Sequence, residues 1–125
     1  MPDESFKEFV LDQLQYLDDV TCRRMFGCDG LYQNGVFFGI IAHGRLYFKT
    51  NATTRAAYIE QGMQPFRPHP KQTLKSYYEV PIDILEDHTQ LMRWAQQAVV
   101  CQLAAGKSDS LNLSGFVAAQ SGPEL

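Results

Sequence analysis

Three cysteines, Cys22, Cys28 and Cys101, and three histidines, His43, His69 and His88, are the residues of this chain best suited to nucleophilic or metal chemistry. Cys28 is the strongest of them. It lies in Gly27-Cys28-Asp29-Gly30, where a turn would expose its thiol and Arg23 or Arg24 would lower its pKa. The competing reading is a small, partly buried residue in a position that glycine would also fill. No second cysteine pair stands at metal-ligand spacing, so no metal site and no cofactor are expected. The histidines fall in a turn, a proline-rich loop and a helix start, where exposed polar residues are common. No nucleophile elbow, phosphate-binding loop or dinucleotide fingerprint occurs. Catalysis is not expected, and a small thiol-dependent enzyme using Cys28 is kept only as an alternative.

A second kind of chemistry is recognition. Arg23, Arg24, Arg45 and Lys49 interleave with aromatics such as Tyr47 and Tyr77. Cations beside exposed rings on a sheet suit an acidic partner or a stacked single strand of nucleic acid. The charge distribution sharpens this. Residues 1–19 hold six acids and one base, residues 20–79 eight bases and three acids, and residues 80–125 five acids and two bases. A basic middle is thus flanked by acidic ends. The simplest expectation is that terminal helices and sheet neutralise each other across their contact. Since the overall net charge is −3, a protein partner is expected ahead of nucleic acid.

These residues need elements to position them. Phe6, Phe9, Val10, Leu14 and Leu17 share one helical face, which predicts a helix over residues 5–17. Strands are expected over Val20 to Phe26, Leu31 to Tyr32, Val36 to Ile41 and Arg45 to Lys49. They are joined at Gly27–Gly30, at Asn34-Gly35 and at His43-Gly44. Gly39, inside the third strand, reads as a bulge or a close helix approach. A second helix follows an Asn51 cap, with Ala56, Ala57 and Ile59 as its buried residues. Gln64 to Pro70 carries three prolines and reads as a loop with a short edge segment near Phe66. A further strand runs from Leu74 to Val80. Asp87-His88-Thr89-Gln90 has the form of a capping box before a long helix that buries Leu91, Trp94, Ala95, Ala98, Val99 and Gln102 and stops at Gly106. Clustered strands and few helices predict an α+β domain: an antiparallel strand meander with helices packed on one face. The domain is expected over residues 1–106, with 107–125 a polar, flexible tail in which Leu111, Leu113 and Phe116 are the residues able to dock.

Adjacent ring pairs, Phe37-Phe38, Tyr47-Phe48 and Tyr77-Tyr78, put one ring on each face of the sheet. The face away from the helices therefore needs cover from a second layer, the tail or a homodimer partner. The odd cysteine count and the acidic start without a basic leader predict a cytoplasmic setting, and no apolar run is long enough to span a bilayer.

Several strings occur in a fixed order: Arg24-Met25-Phe26-Gly27, Gly30-Leu31-Tyr32, Gly35 with Phe38-Gly39-Ile40-Ile41, Leu46-Tyr47-Phe48-Lys49, Gly62-Met63-x-Pro65-Phe66 and Ser76-Tyr77-Tyr78-x-Val80-Pro81. Together they resemble the N-terminal domain of the TfoX/Sxy family, across about residues 9 to 104. The resemblance implies a secretion-chaperone-like α+β domain that regulates natural competence with the cyclic-AMP receptor protein at certain promoters. It also implies a stand-alone form of the domain, without the C-terminal helical domain of the full-length regulators. Family members commonly have glycine where this chain has Cys28. The matched residues Met25, Phe26, Gly27, Gly30, Leu31, Tyr32, Gly35 and Gly39 read as structural rather than catalytic.

Overall fold

The computed structural model describes the backbone of residues 2–25 and 27–121 and the side chains of residues 4–24 and 27–105. The elements run α1 (Pro2–Gln13), β1 (Val20–Met25), β2 (Cys28–Gln33), β3 (Val36–Ala42), β4 (Arg45–Lys49), α2 (Ala52–Glu60), β5 (Pro65–His69), β6 (Gln72–Glu79), α3 (Ile82–Leu85) and α4 (His88–Ser121). All six strands join one antiparallel sheet in the order β1-β2-β3-β4-β6-β5. The α+β class and the antiparallel meander are as the sequence predicts.

Turn chemistry sets the register. Asn34 and Gly35 both have positive φ, +50° and +80°, the requirement of a tight type I′-like hairpin. The first hairpin is tighter than expected. Met25 pairs with Cys28, so only residues 26 and 27 lie between the strands. Cys28, Asp29 and Gly30 belong to β2, not to a turn. The two-residue connection wins because it keeps the strands paired without a break. Phe26 and the side chain of Met25 lie outside the described residues.

Between β2 and β3 the pairing slips, from Leu31 opposite Gly39 to Tyr32 opposite Phe37. Phe38 is the extra residue of this bulge. It joins Leu31, Ile41, Leu46, Phe48 and Val80 on the face that α1 and the turn after it, α2, α3 and α4 cover with Val10, Leu14, Tyr58, Ile84, Leu91 and Ala95.

Four helix expectations shift. α1 ends at Gln13, and Leu14 and Leu17 are buried from the turns that follow, held by shorter-range bonds such as Leu17 N–H to Leu14 C=O at 2.9 Å. Phe9, expected on the buried stripe, is exposed. In α2 the buried residue is Tyr58, while Ala56, Ala57 and Ile59 are exposed. Tyr58 turns inward because its ring meets Trp94 edge-on at 4.6 Å and Tyr78 at 6.2 Å, contacts no alanine offers. Finally, α4 runs on through Gly106 to Ser121, where a stop and a tail are expected. An interior glycine costs a helix only about 1 kcal/mol relative to alanine, which flanking helix formers such as Ala104, Ala105 and Lys107 offset. The side chains of Leu111, Leu113 and Phe116 lie outside the described residues. The proline-rich segment, expected mainly as a loop, forms edge strand β5, where proline is tolerated.

Asp87 caps α4 as its sequence form suggests. Gln90 donates its backbone N–H to Oδ1 and its side-chain amide to Oδ2, each at 3.1 Å. The Gln90 backbone N–H first, then its side chain, hold the Asp87 carboxyl below the usual carboxylate range. A depressed folded pKa stabilises the fold above the unfolded pKa, and that stabilisation fades as pH falls through the folded value. Thermal melts of the wild type and of D87A should therefore differ most above the carboxylate range, with D87A the less stable. The two should converge as the buffer becomes strongly acidic.

Candidate interaction face

Strand alternation and the bulge place a second set of side chains on the opposite side of the sheet. Cys28, Phe37, Ile40, Ala42, Phe66 and Tyr77 are buried there, with Tyr32, Tyr47 and Leu74 packed against them. The rings meet in two groups. Tyr32 meets Phe37 at 5.2 Å and Phe37 meets Tyr77 at 5.7 Å, while Tyr47 meets Phe66 at 4.7 Å. Cations sit over both ends of the first group. The Arg23 guanidinium lies 5.8 Å from the Tyr32 ring centre, and Lys49 Nζ lies 5.3 Å from that of Tyr77. Lys49 also donates to Ser76 Oγ at 3.0 Å. Arg45 Nη1 bridges both oxygens of Glu79, at 3.0 and 2.9 Å, beside Tyr47.

The structure thus gathers five of the six expected recognition residues, Arg23, Arg45, Tyr47, Lys49 and Tyr77, on one face. It does not expose them all. Lys49 is 4% and Tyr77 2% exposed. Helix α4 reaches this face at the end of β4: Tyr77 Oη donates to Gln102 Oε1 at 3.4 Å. A platform of open rings, the alternative to a covered face, is therefore absent among the described residues. Tyr32 and Tyr47 are half-buried, and Phe37 and Phe66 are buried. Burial, then the Glu79 carboxylate, pushes the Tyr47 hydroxyl pKa up, so it stays a neutral hydrogen-bonding group.

Arg24 lies on the helix side of β1. Its guanidinium is 3.8 Å from Asp29, which also stands 4.0 Å from Lys7 of α1. Burial, then the charge of the same carboxylate, pushes the Cys22 thiol pKa up. Asp29 is a buried acid that sequence reasoning assigns to a turn. Counting the hairpin as a two-residue connection would have moved it into the strand and onto this face. Lys7 to Asp29 also runs against the expected charge balance, since the base is on the helix and the acid on the sheet. Glu4, Glu8, Asp12, Asp18 and Asp19 are exposed. Among the described residues, the acidic start therefore does not neutralise the basic sheet.

The thiol alternative loses its physical basis. Cys28 is 8% exposed at the start of β2. Burial, then the Asp29 charge, pushes its pKa up, and the opposing effect of Arg24 is smaller. Titration with a slow alkylating reagent should show Cys28 reacting more slowly than free cysteine, and half-buried Cys22 ahead of Cys28 and Cys101. A fast-reacting Cys28 would restore the thiol reading. An open groove of about 350 Å³ between α2 and α4, lined by residues that include Asn51, Thr54, Arg93 and Val100, holds no acid–base pair. The α2 N-terminus beside it is already occupied: the Asn51 side chain accepts from Thr54 N–H at 2.8 Å. Among the described residues no group of three or more His, Cys, Asp or Glu stands together as metal ligands do, and no helix is long and apolar enough to cross a membrane.

The motif residues have structural places. Gly27 and Gly35 make turns, Gly30 pairs with Arg23 and Ile40 inside the sheet, and Leu31 is fully buried. At Gly39 a Cβ would stand 3.0 Å from the Tyr47 carbonyl oxygen and 3.1 Å from the Phe48 ring. No curated protein matches the chain. The TfoX N-terminal domain family matches residues 12–101, which span α1's last turn through most of the packed part of α4 and so take in the whole sheet. On that match and this fold, the chain belongs to the TfoX N-terminal domain family.

Proposed function

We propose that this protein is a non-enzymatic, cytoplasmic regulator of transcription that acts by binding another protein, as the regulatory role of its family suggests. The observation that carries this reading is the exposed basic end of the sheet. Arg23 and Arg24 project from β1, and Glu4, Glu8, Asp12, Asp18 and Asp19 are turned to solvent instead of covering them. A side-chain surface of this kind recruits an acidic partner. Three cysteines with no disulfide between them suit a reducing compartment. The partner is a component of the transcription machinery or of its regulators. A deletion strain should show altered transcripts, and a pull-down with the intact chain should recover a transcription component. Unchanged transcripts together with no such component would refute the reading.

Direct nucleic-acid binding is the second reading, favoured by the same arginines. The burial of Phe37, Phe66, Lys49 and Tyr77 weighs against it, because stacking needs open rings and phosphate contacts need accessible cations. Anisotropy titrations with single- and double-stranded DNA at low and physiological salt separate the two. Salt-sensitive binding lost in R23A/R24A would put nucleic acid first.

A further inference from the structure

The two edges of the sheet are treated differently. β5 closes one edge with Pro65 and Pro68, which cannot donate to another strand. β1, Val-Thr-Cys-Arg-Arg-Met, closes the other with no proline and no break in its pairing to β2. Its hydrogen-bonded pairs follow from the turn. Met25 and Cys28 flank a two-residue connection and so face each other with both bonds, as do Arg23 with Gly30 and Thr21 with Tyr32. The bond from Asn34 N–H to Asp19 C=O, 3.2 Å, continues the same alternation. The backbone N–H and C=O groups of Val20, Cys22 and Arg24 therefore point away from the sheet. Among the described residues no strand pairs with them. Thr21, Arg23 and Arg24 are exposed, and the Arg24 side chain is 62% exposed.

We propose that the outer edge of β1 is the docking site for an extended, acidic segment of the partner protein, which adds to the sheet as a seventh, edge strand. This rests on the regulator reading and names its contact surface. The backbone groups of Val20, Cys22 and Arg24 supply the hydrogen bonds, and Arg23 and Arg24, on opposite faces of the strand, supply the selection for acid. The same two arginines disfavour a second copy of this chain on the edge. An antiparallel pair of β1 strands would bring four guanidinium groups into one ribbon, where Asp29 already faces Arg24 of its own chain and Asp18 and Asp19 stand at the strand's start rather than opposite the arginines.

The test uses the full chain and a fluorescent peptide that alternates valine with glutamate, with a valine–lysine peptide and a backbone N-methylated acidic peptide as controls. The acidic peptide should bind and should slow hydrogen exchange at the Cys22 and Arg24 amides. Both control peptides should bind more than about tenfold more weakly. R24P removes an outward N–H at an edge position where proline is tolerated, and should lose binding relative to R24A. R23E, which leaves the backbone intact, should weaken binding by more than about tenfold. Circular dichroism checks that each variant is folded. Equal binding of acidic and basic peptides, absence of binding, or binding without protection of those amides would overturn the proposal. So would a chain dimer in sedimentation that R24P dissolves, which would assign the edge to a second copy. The two readings fail separately. If the pull-down recovers a transcription component equally with wild type and with R23E, the edge proposal fails and the regulator reading stands. If the peptide binds as described but deletion leaves transcripts unchanged and the pull-down recovers no transcription component, the regulator reading fails and the edge stands.

Discussion

Phe48→Ala is expected to lower the unfolding free energy by about 3–5 kcal/mol, with a fall in Tm of roughly 10–20 °C. Phe48 is fully buried, and its ring packs against Phe38 at 5.8 Å on the helix-covered face. It stands opposite both Gly39 and Tyr78, so it ties β4 to its two neighbours at once. Truncation removes the transfer energy of a large ring and leaves a void that the flanking strands cannot close without breaking register. Urea melts of the two proteins would measure the difference. A loss under about 1 kcal/mol would mean that the bulge at Phe38 lets the sheet collapse into the space.

The second large effect is expected at Gly39. Gly39→Val should cost about 2–3 kcal/mol, from overpacking rather than from backbone conformation. A Cβ here would sit 3.0 Å from the Tyr47 carbonyl oxygen, 3.1 Å from Phe48 Cδ1 and 3.4 Å from Leu31 Cδ1. The carbonyl is held in the β3–β4 ladder and cannot retreat, whereas the Phe48 ring can turn slightly. In a double-mutant cycle, G39A should therefore cost less in the F48A background than in wild type, yet still cost something. Equal costs in both backgrounds would show that the carbonyl alone sets the penalty. The β1 edge is two strands away from Gly39, so a folded G39V protein should still bind the acidic peptide, which separates stability from recognition.

Local patterns in the sequence determined much of this protein. Asn34-Gly35 specifies its hairpin because few other residue pairs accept positive φ twice, and His43-Gly44 acts in the same way. The capping residues Asn51 and Asp87 mark helix starts through side-chain bonds to backbone only three residues away. Alternation of rings along β3, β4 and β6 was enough to predict a sheet with aromatics on both faces. The ordered motifs from Arg24 to Pro81 identified the family.

What only the tertiary structure decided are the features that depend on distant partners. The bulge at Phe38 shifts which ring faces the helices, and it lets β2 pair with β3 while Leu31 and Phe38 are both buried on the helix side. Tyr58 displaces Ala57 and Ile59 from the buried side of α2 because Trp94 and Tyr78, far away in sequence, are there to receive it. Burial of Lys49 and Tyr77 depends on where the long helix passes, a matter no local pattern encodes. The position of Asp29 between Lys7 and Arg24 follows from a hairpin one residue pair tighter than the glycine spacing suggests. Which strand is left at the open edge is likewise a property of the whole sheet. β5 and β1 are both short and polar in sequence, and only the strand order shows that prolines guard one edge while arginines mark the other.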